Sequence, residues 1–328
     1  MGMTRRQSLG LLAGTGLSAW APVARAQGEA YPDRPLRIVV PYAPGATNDL
    51  VARIVATKLS EQLGQVSVVV ENRSGAQAIV GSEAVARAKP DGYTLLMGAS
   101  GPMVFNPATY DRLPYDTLRD FAPVSLLVSF PLVLVVSAAS PIRSVQELVA
   151  YAREEPGRAT YGSPAASFQL ATELFAKKVG ATFRYVAYRG TADAVNAAAA
   201  QEVTMCLGDS AGVVGAVQGG RVRALAVTSA ARLATLPDVP TLAELGIQGS
   251  EVELFTGLLA PSGTPVPIVQ KLQAALATIM RQPDTRQRMD MLALTSVGST
   301  AEEFSALIAR EIDLWRTVAR EANIRMER

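Results

Sequence analysis

Two stretches of this chain repeat one pattern: an apolar run, a turn of small and polar residues, then apolar positions at helical spacing. Residues 38–64, IVVPYAPGATNDLVARIVATKLSEQLG, predict a strand, a Pro/Gly turn and an amphipathic helix with Leu50, Val51, Ile54, Val55 and Leu59 on one face. Asn48 or Asp49 is the expected cap of that helix, and Gly64 its end. Residues 160–180, TYGSPAASFQLATELFAKKVG, predict a short strand, a Ser/Pro/Ala turn and a helix with Leu170, Leu174, Phe175 and Val179 along one side. At each helix start, unpaired amides and the positive end of the helix dipole open onto the turn, a geometry that holds anions. Either unit alone is equally an ordinary βα turn. Two of them facing each other would grip a carboxylate.

Further β-rich runs at 66–70, 94–97, 124–128, 132–136, 183–187, 203–207 and 224–228 alternate with helical patterns, so the expected fold class is α/β. The apolar stretch 124–139 contains Pro131 and reads as strand, turn, strand rather than as a membrane helix. Because the two units lie in different halves, each half is expected to carry its own parallel sheet and its own ligand edge. Two lobes around a cleft follow: 31–127 with 229–328 as the first and 128–228 as the second, with hinges near 124–128 and 224–228. The tail from Ala301, with Phe304, Leu307, Ile308, Ile312 and Trp315 at helical spacing, predicts a closing helix on the first lobe.

The first residues, MGMTRRQSLGLLAGTGLSAWAPVARAQ, place Arg5 and Arg6 before an apolar run that ends near Ala24, Arg25 and Ala26, the pattern of an export leader cleaved after Ala26. That run is shorter than the roughly 20 residues that span a bilayer. Its paired arginines resemble a twin-arginine signal, with an ordinary secretory leader as the alternative. Gly14, Gly16 and Ala19 spell G-x-G-x-x-A, but no strand precedes them. The leader holds three arginines and no acid, so its loss takes the net charge from +2 to −1. The remaining basic residues are scattered without runs, which argues against nucleic acid or an anionic membrane surface as a partner. A 328-residue chain that is 49% apolar can bury two cores without covalent staples, and the single Cys206 is expected to be buried.

Histidine is absent from the whole chain, which removes the commonest general base, the usual zinc ligand and every Ser-His or Cys-His pair. Gly208-Asp209-Ser210-Ala211-Gly212 nevertheless follows an apolar strand as a literal G-x-S-x-G. The lysines, Lys58, Lys89, Lys177, Lys178 and Lys271, do not stand three residues after a serine, so no S-x-x-K arrangement activates Ser210. A secreted serine hydrolase using Ser210 stays the alternative to a binding protein. No phosphate loop, paired-cysteine metal site or EF-hand is present in the sequence, and no cofactor or metal is expected.

Seven segments in one order carry a family likeness: YPDRPLRIVVPYAPGATNDLVAR from Tyr31, VENRSGAQAIVG from Val70, AKPDGYTLLMGASG from Ala88, FNPATYDRLPYDTLRDFAPV from Phe105, YVAYRGTADAV from Tyr185, VRALAVTSAARLATLPDVPTLAELG from Val222 and FTGLLAPSGTP from Phe255. Together they resemble the substrate-binding receptors of tripartite tricarboxylate transporters, the Bug family. The resemblance implies a type II periplasmic binding protein that closes on a small organic acid; no catalysis is expected, and the protein is expected to be a monomer. It would deliver that acid to a carrier of one large and one small membrane subunit; a periplasmic sensor is the other role such a receptor can have. Family ligands are di- and tricarboxylates, acidic amino acids and aromatic acids.

By position, the resemblance assigns the first loop, Pro44, Gly45, Ala46, Thr47, Asn48 and Asp49, to a carboxylate, with Ser100 and Gly101 on the same edge. In the second lobe it assigns Ser163 and Ser167 as donors, the loop Tyr188, Arg189, Gly190 and Thr191, and Asp209, whose acid could recognise a ligand amine. Asp49 and Asp209 can instead cap helices, Arg189 can form a structural ion pair, and Arg73 is expected in a scaffold pair. Where the family has a Gly-rich second loop followed by His, this chain has Pro164, Ala165, Ala166 and then Gln169, and Ala46 replaces a glycine of the first loop. Added methyl groups and a proline without an amide narrow the backbone approach, so Phe168 either faces the ligand body or packs in the core.

Overall fold

Helix α1 (Thr47–Gln62) shows how the chain builds its first unit in the computed structural model, which describes residues 31–155, 157–163, 165–321 and 323–325. The expected leader with Arg5, Arg6 and Ala26, its G-x-G-x-x-A run, and Pro164 lie outside the described residues. Val51, Val55 and Leu59, one turn apart, are fully buried, while Leu50 and Ile54 are only half-buried. Past the C-cap, Gly64 takes φ +80°, the left-handed conformation that ends helices without steric cost. The start differs from expectation. Ala46 is the residue before the first turn, and Asp49 sits inside that turn.

β1 (Leu36–Val40) precedes α1, and β2 (Val68–Asn72), α2 (Ile79–Ala86) and β3 (Thr94–Ala99) follow it. β1 lies parallel between β2 and β3. A π-turn over Gly101–Phe105 runs into the short α3 (Asn106–Thr109), and α4 (Thr117–Asp120), capped by Asp116, leads into β4 (Phe121–Ser137). The second unit contains α5 (Val145–Glu154), β5 (Thr160–Ser163), α6 (Ala166–Val179), β6 (Arg184–Ala187), α7 (Thr191–Ala199), β7 (Met205–Asp209), α8 (Ser210–Gln218) and β8 (Val222–Val227). The chain then adds β9 (Glu253–Pro261), α9 (Val266–Arg281), α10 (Pro283–Met291), β10 (Thr295–Ser296) and α11 (Ala301–Glu321).

β4 joins the two lobes. It is one strand of 17 residues, so the turn expected at Pro131 does not form. From Phe121 to Pro131 it pairs antiparallel with β9, and from Leu132 onward with β7 and β8. Pro131 sits where the partners change, so its missing N–H falls at the end of a ladder rather than inside one. This change of strand partners lies a few residues beyond 124–128, where the sequence places the first crossing. For the return, expected at 224–228, the contacts of the second lobe continue further along the chain. After β8 the chain stays with the second lobe, with Leu236 packed among Val133, Ala194, Val213 and Val227 and the Val227 amide bonded to the Pro240 carbonyl, until Val252 leads into β9.

Register along β4 sets the two lobes edge to edge. Ala99, the last residue of β3, pairs with Thr256 of β9, which pairs with Val128, whereas Asp209, the last residue of β7, pairs with Leu132. Both sheets thus end, at the C-terminal side of their parallel strands, only four residues apart on β4, about 13 Å at roughly 3.3 Å per residue. α11 closes the first lobe as expected: Phe304 meets Phe255 edge-on at 5.4 Å and Trp315 meets Phe105 at 4.6 Å. Cys206 is fully buried between β5 and β4, and that burial pushes its thiol pKa up to about 12.

Candidate functional site

Every residue that the sequence nominated lies at or just past the C-terminal end of a parallel strand, or in the first turn of the helix that follows, where ligands of open α/β sheets bind. On the first lobe these are the loops after β1 and β3, and on the second those after β5, β6 and β7. α6 packs on the Gly101–Phe105 turn, which brings the second lobe's helix to the first lobe's edge.

Asp49 organises the first loop. Its side chain is almost wholly buried, with Oδ2 accepting from the Gly45 amide at 2.9 Å and from Arg53 Nε at 3.0 Å, and Oδ1 accepting from Asn72 Nδ2 at 2.9 Å. Asn72 also donates to the Tyr42 carbonyl, and so ties the strand end of β2 to the loop. Gly45 has φ +82°, which lets its amide turn back onto the carboxylate. Burial would raise the Asp49 pKa, but Arg53, Gly45 and Asn72 outweigh it and hold the carboxyl below its usual range. Asn48 is also committed through its side chain, which donates to Thr256 Oγ1 at 2.8 Å in a buried contact. What the loop leaves open, among the described residues, are the Thr47 and Asn48 amides and the Thr47 hydroxyl. Pro44 and Gly45 are exposed at the rim, and Ala46 is half-buried.

Ser100 and Gly101 support that edge. Ser100 Oγ accepts from the Phe255 amide at 2.7 Å, and a Cβ on Gly101 would stand 2.7 Å from the Tyr42 hydroxyl. Burial raises the Tyr42 pKa, so this phenol stays protonated. Arg73 is in the expected scaffold pair, with Glu71, which Arg37 also contacts at 3.2 Å.

The second lobe is held more loosely. Ser163 Oγ donates to the Ala165 carbonyl at 3.1 Å, while α6 starts after Ala165 with no side-chain cap. The Ala166 and Ser167 amides and the Ser167 hydroxyl have no partner among the described residues. Phe168, one position on, is half-buried. The Tyr188 amide bonds to the Ser163 carbonyl at 3.0 Å, and its ring covers Gly162. Arg189 is 94% exposed and paired with Asp193 at 3.2 Å. Gly190 precedes α7, whose first residue, Thr191, donates to Asp209 Oδ2. Asp209 caps α8 by accepting from the Gly212 amide at 2.8 Å. Ser210 is fully buried, and its Oγ donates to the Ala293 carbonyl at 2.7 Å.

Tyr42, Asn72, Arg53 and Thr256 were not nominated from the sequence. Asn72 carried a usable signal, a polar residue ending an apolar strand. The contact of Thr256 with Asn48 joins positions far apart in the chain and left none. Among the described residues no group of three or more His, Cys, Asp or Glu is placed to hold a metal ion, and no helix is long and apolar enough to cross a membrane.

Residues 51–324 match the model of the tripartite tricarboxylate transporter family receptor. Protein BugT of Bordetella pertussis is 33% identical over 310 residues, which cover 94% of each chain. A protein of R. palustris solved with adipate superposes with a TM-score of 0.84 at 32% identity, over 90% of this chain and 99% of that one. The periplasmic binding protein BugD superposes with a TM-score of 0.80 at 31% identity, over 90% of this chain and all of that one. The two-lobed architecture is that of these binding proteins.

Proposed function

Because the chain belongs to the tripartite tricarboxylate transporter receptor family, we propose that it is a periplasmic receptor whose lobes close on a small carboxylate and present it to a membrane carrier of one large and one small subunit. The observation that carries this reading is a pair of neighbouring sheet edges with donors that have no partner among the described residues: the amides of Thr47 and Asn48 with the Thr47 hydroxyl on one, and the amides of Ala166 and Ser167 with the Ser167 hydroxyl on the other. Backbone amides at helix starts favour negative charge and need no cationic side chain. The protein solved with adipate lends support from a relative.

The acid is amine-free. Asp49 is already charge-paired with Arg53 and accepts on both oxygens, and both oxygens of Asp209 accept bonds from the chain, so an ammonium group would have to compete for oxygens already in use. Half-buried Phe168 supplies an apolar surface for the ligand body. The lobes are 32–131 with 252–325 and 132–251, and residues 1–26 are an export leader. No reaction follows binding: the family is one of receptors, and Ser210, the one residue in a nucleophile motif, has its hydroxyl buried and bonded to Ala293.

Calorimetry with matched pairs of acids, succinate against aspartate and adipate against 2-aminoadipate, tests the reading. The amine-free member of each pair is expected to bind at least about tenfold tighter, roughly 1.4 kcal/mol. A bound acid at about a hundredfold excess over its Kd should also add about 3 kcal/mol of stability. Failure of every small carboxylate to bind ends the receptor reading, whereas equal binding within each pair removes only the exclusion of amines.

A further inference from the structure

The G-x-S-x-G run has no use as a nucleophile motif, yet its serine makes a buried side-chain bond between the lobes. Ser210 is the first residue of α8, directly after the Asp209 cap, and belongs to the second lobe. Its partner, Ala293, belongs to the first. Ala293 is a buried non-glycine residue with φ +54°, and its amide bonds back to Asp290 to end α10. Two residues on, Thr295 and Ser296 pair with Ser129 and Val128 of β4, immediately before the crossing. On the other side, Asp209 pairs with Leu132, immediately after it. The Ser210–Ala293 bond therefore closes a ring that runs from Ser129 through the crossing to Leu132, across to Asp209 and Ser210, over to Ala293, and back through β10.

We infer that Ser210 is a positioning residue, the pin that fixes the angle of the second lobe against the first at the β4 crossing. A hinge strand alone turns about its soft dihedrals, and a second tether placed at its side removes most of that freedom. A residue with φ > 0 that is not glycine persists only where its surroundings hold it, and the hydroxyl on its carbonyl is such a hold. The other crossing has its own brace: Thr228 Oγ1 accepts from the Leu132 amide at 2.8 Å and donates to the Val252 carbonyl. The consequence of both is a narrow range of lobe angles in the ligand-free protein, with Asp209 and Thr191 kept in register with the first-lobe loop.

Distance measurement between spin labels at Leu118→Cys on the first lobe and Lys178→Cys on the second tests this, with Cys206 inaccessible to the label. The ligand-free distance distribution is expected to broaden in Ser210→Ala and to take an intermediate width in Ser210→Cys, which fills the space but offers only a weak donor. Ala293→Gly keeps the carbonyl and should leave the width unchanged. A lower Tm in Ser210→Ala with an unchanged width would reduce Ser210 to a packing residue and overturn the inference. If Ser210→Ala does not fold, a width in Ser210→Cys equal to that of the unaltered protein does the same.

Discussion

The two helix-start loops, after β1 and after β5, share a pattern in sequence but differ in how they are held. In the first, Asp49 gathers Gly45, Arg53 and Asn72, and Asn48 is tied to Thr256 on β9, so the loop is braced from three elements. In the second, α6 begins after an uncapped alanine, the Ser167 hydroxyl has no partner among the described residues, and Arg189 points into solvent with an exposed partner. A braced loop presents fixed donors and loses little entropy on binding; an unbraced one can adapt, at an entropic cost. Under the proposed function this difference divides the labour: the first loop would anchor a carboxylate and the second would select the rest of the molecule.

The comparison breaks most visibly at Asp49. Asp49→Ala strands the Gly45 and Asn72 donors and should cost about 3 kcal/mol, since bonds to a buried charge contribute roughly 1.5–3 kcal/mol each with incomplete additivity. Denaturant unfolding measures it, and binding of the acid preferred in the calorimetric series should be lost as well. Acid gives the same answer without a mutation. The Asp49 carboxyl titrates lower in the folded protein than in the unfolded chain, so its stabilisation is complete above the unfolded value of about 3.9 and is lost as pH falls through the folded value. Melting curves between pH 5 and pH 2 should show a loss that Asp49→Asn lacks.

On the second loop the expected effects move from stability to affinity. Ser167→Ala removes an unpaired hydroxyl, so Tm should stay within about 0.5 kcal/mol equivalent. Calorimetric affinity for the preferred acid should fall about tenfold, the lower end for a bond to a charged group. The smallest effect belongs to Arg189→Met. An exposed ion pair contributes roughly 0–1 kcal/mol, so neither Tm nor affinity should change beyond that at physiological salt; a larger loss of affinity would place Arg189 on the ligand.

Local periodicity made much of this architecture legible. The faces of α1, α6 and α11, the glycine that ends α1 and the burial of Cys206 all follow from spacing and composition. β9 did not, because Gly257 in its middle weakens the strand pattern; the Phe304 ring packs so close that a Cβ there would stand 2.4 Å away. The continuity of β4 was hidden by Pro131, whose usual meaning is a break and which is tolerated here at a change of partners. For the candidate site, the sequence pointed to loops that the fold places at parallel strand ends, but it left Asp49 and Asp209 between cap and contact. Distant partners decide both: Asn72 for Asp49, and Thr191 for Asp209, which also caps α8.

Small-angle X-ray scattering with the tightest-binding acid of the calorimetric series tests most directly whether two helix starts close on an anion without reaction. The radius of gyration is expected to fall on saturation, with proton NMR returning the acid unchanged. An acid that binds while the radius stays constant, or one that is consumed, would contradict the account.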